Sequence, residues 1–398
     1  MATQFKYIIV GAGMMGASAA RHLAGTGDSI AVIGPREPVD IPSHTGVFGS
    51  HYDAARITRT IDGNADWARL ANRSIARYAE IERQSDVRFY HEVGCLIVGK
   101  KRGTGSAYIE NVCAAAEALG VETEILDDAA LGARFPYFAF EPDCEGVFEG
   151  RNAGYVNPRE LVRAQLVAAE RQGVTRIDDI VLSVREEGGV ATVMTASGHS
   201  YTAEKVLVAA GGFSIAQGLL PEALQMQVFA RTVAFFEIPE SDLDHYAGMP
   251  SLIYEPSDPR KHIYLLPPVR YPDGKFYLKI GGEPVDVALG SDPEIRAWFR
   301  SGGNAQVRDN FADIIQTLIP SIDRTRISMA ACVTSYTPSG FPAIGYTTSP
   351  GIAVLTGGCG AAAKSCDEIG RLGAQLLIHG QLVEDSYETD FAPLFCTE

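Results

Sequence analysis

Gly11-Ala12-Gly13-Met14-Met15-Gly16 is the first stretch whose residue types and spacing suit chemistry. A Gly-x-Gly-x-x-Gly run carries the pyrophosphate of a dinucleotide when a strand precedes it and a helix follows. Gly11 permits the tight turn, Gly13 lets the phosphates approach the backbone, and Gly16 lets the helix pack closely on the strand; Met14 and Met15 lie between them. The helix N-terminus then offers its free amide donors to the anion. A second stretch, residues 41–64, is polar and bears His44, His51, Arg56 and Arg59. Two arginines beside two histidines suit an anion-binding or cofactor-covering loop, and a loop of this length inside a domain is usually functional or disordered.

These residues need elements to hold them. Residues 5–10 form an apolar, β-branched run that reads as a buried strand, 17–24 read as a helix closed by Gly25 and Gly27, and 29–33 read as a second strand. That order supplies the context the glycine motif requires. One part of the fingerprint is missing. The acid that usually ends the second strand and binds a ribose is replaced by Gly34, which leaves the ribose to Glu37 or to backbone groups.

Further along, residues 66–83 have helical spacing, 93–98 read as a strand, and 106–119 and 127–135 as helices. Asn157-Pro158-Arg159-Glu160 spells a helix start, with Asn157 as cap and Glu160 closing a capping box. Residues 177–184, 190–195 and 199–201 read as a three-stranded meander turned at Gly188-Gly189 and Ser197-Gly198, followed by a buried strand at 206–212 that ends in glycines. Residues 216–324 are strand-rich and aromatic, with helices near 293–300 and 307–318, and suit a substrate-binding mixed sheet. From Ile327 the chain is expected to return to the first domain, with a strand at 351–356, a glycine turn at Gly357-Gly358-Cys359-Gly360 and a helix over 361–378.

A chain of 398 residues suggests two domains. A formal charge of −15 argues against nucleic acid or an anionic membrane as partner. No apolar stretch approaches the roughly 20 residues of a membrane span, and the first strand starts without a preceding signal peptide. Seven scattered cysteines form no Cys-x-x-Cys pair, which suggests neither a zinc site nor a disulfide framework. The expectation is a cytoplasmic protein without a metal.

Three separated patches converge on one family. The glycine turn, the loop Ser50-His51-Tyr52-Asp53-Ala54-Ala55-Arg56-Ile57-Thr58-Arg59, and Cys332-Val333-Thr334-Ser335-Tyr336-Thr337-Pro338 with residues 357–364 together resemble monomeric sarcosine oxidase and its relatives, N-methyltryptophan oxidase and fructosyl amino acid oxidase (amadoriase). The meander and the strand ending in Ala-Gly-Gly resemble the FAD domain of the glutathione-reductase type. The resemblance implies an α/β fold: a discontinuous, Rossmann-like FAD-binding domain over 1–85, 150–215 and 325–398, and an α+β substrate domain on a mixed sheet over 86–149 and 216–324.

The resemblance also implies roles. FAD would be linked covalently through Cys332 and cradled by Gly11, Gly13, Met14, Met15, Gly16, Ser50, His51, Arg56, Gly358, Gly360 and Lys364. Arg59 and Lys364 match the pair that grips a substrate carboxylate, Arg56 the arginine over the flavin, Lys279 the lysine that promotes reaction with oxygen, and Tyr264 an active-site tyrosine. A lysine in a first helical turn is poorly placed by the helix dipole unless an anion lies nearby. Three positions depart from sarcosine oxidase: Glu283 and Ala361 replace histidines, and Thr334 replaces a tyrosine. The pocket is therefore expected to be wider, and a glutamate at 283 is what fructosyl amino acid oxidases carry to contact the sugar. The function implied is FAD-dependent oxidation of a secondary α-amino acid to an imine, with O2 reduced to H2O2. The favoured substrate is of the fructosyl amino acid type. Oxidation of sarcosine or another N-methyl amino acid, and a dehydrogenase that passes electrons to a different acceptor, are the alternatives. The expected partners are a small amino acid and O2, with the protein a monomer or weak homo-oligomer.

Overall fold

The computed structural model describes residues 3–282, 285–383 and 386–396. β1 (Thr3–Val10), α1 (Met14–Ala24) and β2 (Ile30–Ile33) form the βαβ unit that the glycine motif needs, with β1 and β2 parallel. The helix starts directly on the glycine turn, before the apolar spacing announces it. After the long loop come β3 (Arg56–Thr58), α2 (Ala65–Ile75), α3 (Tyr78–Ser85) and β4 (Tyr90–His91). The single helix expected over 66–83 is therefore two, broken at Ala76-Arg77. The break aims Arg77 at the buried carboxylates of Asp367 and Glu368, 2.5 Å from each.

β5 (Cys95–Lys100), α4 (Tyr108–Leu119), β6 (Glu124–Leu126), α5 (Asp128–Arg134) and β7 (Cys144–Glu149) follow, and β8 (Gly154–Val156) closes a small sheet with β3 and β4. α6 (Pro158–Arg171) starts on Asn157, whose side-chain oxygen accepts from the Glu160 N–H at 3.2 Å. The capping box does not close. The Glu160 carboxylate is held by Arg163 at 2.8 Å, and the Asn157 N–H donates to Phe89 O instead.

β9 (Thr175–Ile177), β10 (Val181–Glu187), β11 (Val190–Thr195) and β12 (Ser200–Val208) come next. The last strand of the expected meander and the buried strand after it are one element, β12, which runs parallel to β1 along its whole length. Its polar first half pairs with β11, while Val206-Leu207-Val208 lies buried between parallel neighbours. β13 (Gln227–Ile238), β14 (Ser251–Glu255), β15 (Ile263–Arg270), β16 (Phe276–Gly281), β17 (Val287–Leu289), α7 (Asp292–Ser301), α8 (Ala305–Leu318) and β18 (Ile327–Tyr336) build the second half. The strand from Ile327 does not rejoin the first sheet as expected. β18 pairs antiparallel with β13 from Ile327 to Tyr336. The chain returns only with β19 (Ala343–Tyr346), β20 (Ile352–Thr356) and α9 (Ala362–His379).

Among the described residues, one sheet has the order β10-β11-β12-β1-β2-β9, with β20 and β19 joining beside β12; the other has the order β17-β13-β16-β15-β14-β5-β7-β6, with β18 beside β13. Alternation gives the first sheet two apolar faces. Tyr7, Ile9, Val32 and Leu207 pack toward α1 and α9, while Ile8, Val10, Ile33 and Val208 pack with Val184 and Val193 of the β10–β11 hairpin. No helix among the described residues is long and apolar enough to cross a membrane.

α1 and α9 pack with their backbones close together, and a Cβ at Gly370 would lie 2.4 Å from Ser18. Across this contact Asp367, fully buried, accepts from Arg21 and Gln165 at 2.8 Å and from Arg77. Burial alone would raise its pKa, but His22, Arg21 and Arg77 hold it well below the usual carboxylate range. Asp367→Ala takes the carboxylate from buried Arg21 and one of two carboxylates from Arg77, and is expected to cost about 3–5 kcal/mol. Urea unfolding should show a lower midpoint at an unchanged slope; an unmoved midpoint would mean that the network contributes nothing net.

Candidate active site

The carboxyl ends of β1, β12 and β20 converge on a cavity of about 930 Å³ whose opposite wall is the second sheet. Gly11 has φ +108°, and a Cβ there would sit 2.4 Å from Ala209 O. A Cβ on Gly16 would sit 1.9 Å from Gly11 O. A Cβ on Gly13 would meet only His51 Nδ1, at an ordinary contact distance of 3.8 Å, and as N-cap Gly13 supplies no side chain to the first amides of α1. Those donors are left for a ligand, which is the fit a pyrophosphate requires. Met14 and Met15 line the same wall. Gly34 also lines it, and a Cβ there would lie 2.6 Å from Ala12 N, so no acid can stand at that position. Glu37 is committed elsewhere: both its oxygens accept from Arg159 at 2.7 Å. Of the two alternatives for the ribose, backbone groups remain.

Ser50, His51 and Arg56 of the long loop line the cavity. Burial, helped by Arg159 and Arg56, lowers the His51 pKa to about 3, so this imidazole is neutral. Arg56 reaches across to β18, with Nη2 donating to Ser50 O at 2.9 Å and lying 3.3 Å from Cys332 Sγ. Cys332 is buried and lines the cavity, and Trp298 Nε1 donates to its carbonyl at 2.8 Å.

Arg56 is held from behind by Asp53. Asp53 Oδ2 accepts from Arg56 Nε at 2.8 Å and from Lys279 Nζ, and its Oδ1 accepts from Tyr271 OH at 2.9 Å. Burial opposes ionisation of this carboxyl, but the charges of Lys279 and Arg56 hold its pKa well below the usual range. Lys279 is fully buried on β16, also donates to Ala55 O at 2.8 Å, and is lowered to about 8 by burial. It stands behind the cavity wall rather than on it. Tyr264 is on the wall, with its ring 5.6 Å from Lys279 Nζ, and burial raises its pKa. Gly281 makes room for it: a Cβ there would meet Tyr264 OH at 2.3 Å.

The same cavity is lined by Arg59 and Lys364. Lys364 lies in the first turn of α9, where Gly358 and Gly360 form the preceding turn and also line the cavity. Burial, then Arg59, lowers the Lys364 pKa to about 8. Lys364 Nζ is 2.5 Å from Asp62 Oδ2, and Arg59 Nη2 is 3.8 Å from the same oxygen. Arg59 Nε is buried with no hydrogen-bond partner among the described residues. Thr334 and Ala361 line the cavity as well, whereas Glu283 lies outside the described residues.

Sequence reasoning assigned no role to Asp53 or Asp62. Each stands three residues from a site arginine, Asp53 before Arg56 and Asp62 after Arg59, and that pairing of opposite charges was the available signal.

A dinucleotide cradle, a second sheet closing over it, and a cation pair in one cavity define a flavin-dependent oxidoreductase fold. The profile of the FAD dependent oxidoreductase family (DAO) matches residues 6–376, and the chain belongs to that family. It is 26% identical to monomeric sarcosine oxidase from Bacillus sp. (strain NS-129) over 394 residues, covering 97% of this chain and 96% of that protein. Among solved structures it superposes on NikD, an amino acid oxidase essential for nikkomycin biosynthesis, with a TM-score of 0.76 at 20% identity over 100% of this chain and 99% of the other. Amadoriase I from Aspergillus fumigatus gives a TM-score of 0.69 at 18% identity, covering 98% and 89%. The family expected from the three sequence patches is thereby the one found.

Proposed function

We propose that this FAD-dependent enzyme is an oxidase of an N-substituted α-amino acid, with a substituent larger than methyl. The observation that carries the reading is that Arg59 and Lys364 line the same cavity as the glycine cradle. Two cations, one planar and one a point charge, suit a carboxylate. They would anchor the substrate so that its C–N bond lies toward Cys332 and Arg56. Bound flavin supplies the two-electron acceptor for that bond. Thr334 and Ala361, small where sarcosine oxidase carries a tyrosine and a histidine, support the larger substituent. A glutamate at position 283, the residue type fructosyl amino acid oxidases carry there, favours a fructosyl substituent. The identity of the chain with sarcosine oxidase over nearly its whole length supports the amine chemistry.

Cys332 is proposed to hold the flavin through a thioether to the ring methyl at C8. Arg56 Nη2 stands 3.3 Å from that sulfur. Lys279 is proposed to act on the oxygen step as a positive charge just behind the cavity wall, held in place by Asp53 and Ala55.

Turnover against sarcosine, N-methyl amino acids, proline and fructosyl amino acids, with H2O2 as readout, tests the activity. Flavin bleaching without peroxide would favour a dehydrogenase. Arg59→Ala and Lys364→Ala should each weaken a carboxylate substrate by about 1.5–3 kcal/mol. Normal handling of that substrate by both variants would remove the carboxylate assignment. Acid-precipitated wild-type protein should stay yellow and Cys332→Ala should release its flavin; complete release from wild type would rule out the thioether. Lys279→Met should slow reoxidation by oxygen about 10²–10³-fold while leaving reduction by substrate in place. Stopped-flow reoxidation at the wild-type rate would take Lys279 out of the oxygen step.

A further inference from the structure

The cation pair assigned to the substrate carboxylate already faces a carboxylate of the chain itself. Asp62 Oδ2 lies 2.5 Å from Lys364 Nζ and 3.8 Å from Arg59 Nη2, and Asp62 lines the cavity with both. The contact is a poor use of the cradle. The other oxygen, Oδ1, accepts from the Asn64 backbone N–H at 3.1 Å, so Asp62 cannot span the two cations with both oxygens. Arg59 is left beyond hydrogen-bond range, with its buried Nε unpartnered among the described residues. A free carboxylate could place one oxygen on each cation. The backbone beside Asp62 is anchored independently. Glu149 accepts from Thr60 N at 2.9 Å and from Ile61 N at 3.4 Å, and Asn64 caps α2. Rotation of one side chain therefore suffices to clear the position.

We propose that Asp62 is an internal placeholder for the substrate carboxylate: in the empty site it neutralises and positions Lys364 beside Arg59, and the arriving substrate takes its place. The inference rests on the carboxylate reading of Arg59 and Lys364. It gives Asp62 two opposed effects. As a competitor it weakens every carboxylate ligand. As the nearest anion it keeps the buried ammonium protonated against the like charge of Arg59. The other titratable groups around this cluster are Cys95, whose thiol burial raises, Glu149 and Tyr108, and none contributes an anion on Lys364 Nζ comparable to Asp62.

The two effects separate in pH. Lys364 is lowered to about 8, so carboxylate binding should be full below that pH and fade as pH rises through it. Without Asp62 the ammonium loses its stabilising partner and the fading should begin at lower pH. The experiment titrates flavin-loaded wild type and Asp62→Asn with propionate, which has no amine to confuse the titration, following the flavin absorption band from pH 6 to 9.5. At pH 6 the variant should bind propionate about tenfold more tightly, because the competitor is gone, and its affinity should fall off earlier on the alkaline side. Asp62→Glu, which restores the charge, should move both properties back toward wild type. Equal or weaker binding by Asp62→Asn at pH 6, or an unmoved alkaline limb, would overturn the placeholder. If propionate perturbs neither protein while flavin is bound, the carboxylate reading of the cradle fails, and the placeholder with it. If propionate binds wild type and loses that binding in Lys364→Ala, a null effect of Asp62→Asn counts against the placeholder alone.

Discussion

Asp53 is the residue on which the arrangement of the cavity depends. Two cations, Arg56 and Lys279, are taken out of water within reach of the flavin site, and burying either without a counter-charge is prohibitive. One carboxylate serves both. Arg56 comes from the covering loop, Lys279 from the second sheet, and Tyr271, the third partner, from the turn after β15. The ionic centre therefore also pins the loop against the sheet. The lateral position of Arg56, and with it the cation beside Cys332, follows from this anchor.

A parallel device operates around Lys364. Lys364 sits where the helix dipole disfavours a cation, and burial disfavours it again. The helix that carries it is fixed by Asp367 and Glu368, which draw Arg21, Arg73, Arg77 and Arg371 onto its sides. The ammonium itself is balanced by Asp62. Asp53, Asp62 and Asp367 each also pair with a cation from a distant part of the chain, and these pairs help to set the positions of the residues assigned to chemistry.

The cavity lies between the glycine turns of the first sheet and strands of the second. β12 contributes Ala209 and Ala210 at its end, β1 and β20 contribute their own turns, and β13 and β18 supply Arg231, Cys332 and Val333 from the facing side. The placement of β18 in the second sheet matters here. A cysteine on a strand returning to the first sheet would lie among the phosphate-binding turns. On β18 it faces them across the cavity, next to Arg56.

The amino-acid sequence by itself determined whatever depends on local geometry. The glycine turn was legible because Gly11 and Gly16 answer to contacts within one βαβ unit and with the strand beside it. The cap at Asn157 and the Gly188-Gly189 turn were legible for the same reason. The family was legible because its motifs keep their order along the chain. Tertiary structure alone decided the rest. β12 is one strand because β1 offers a partner along its full length, a fact no local window contains. α2 and α3 break where Arg77 meets carboxylates nearly 300 positions away, and the separation of 290 residues explains why helical spacing continued through the break. β18 joined the second sheet because β13 lay open along one edge. Asp53 and Asp62 gained their roles only when folding brought lysines from distant elements onto them. Spacing along the chain encodes the arginine three positions from each acid, but not the lysines 226 and 302 positions away, whose pairing depends on distance in space.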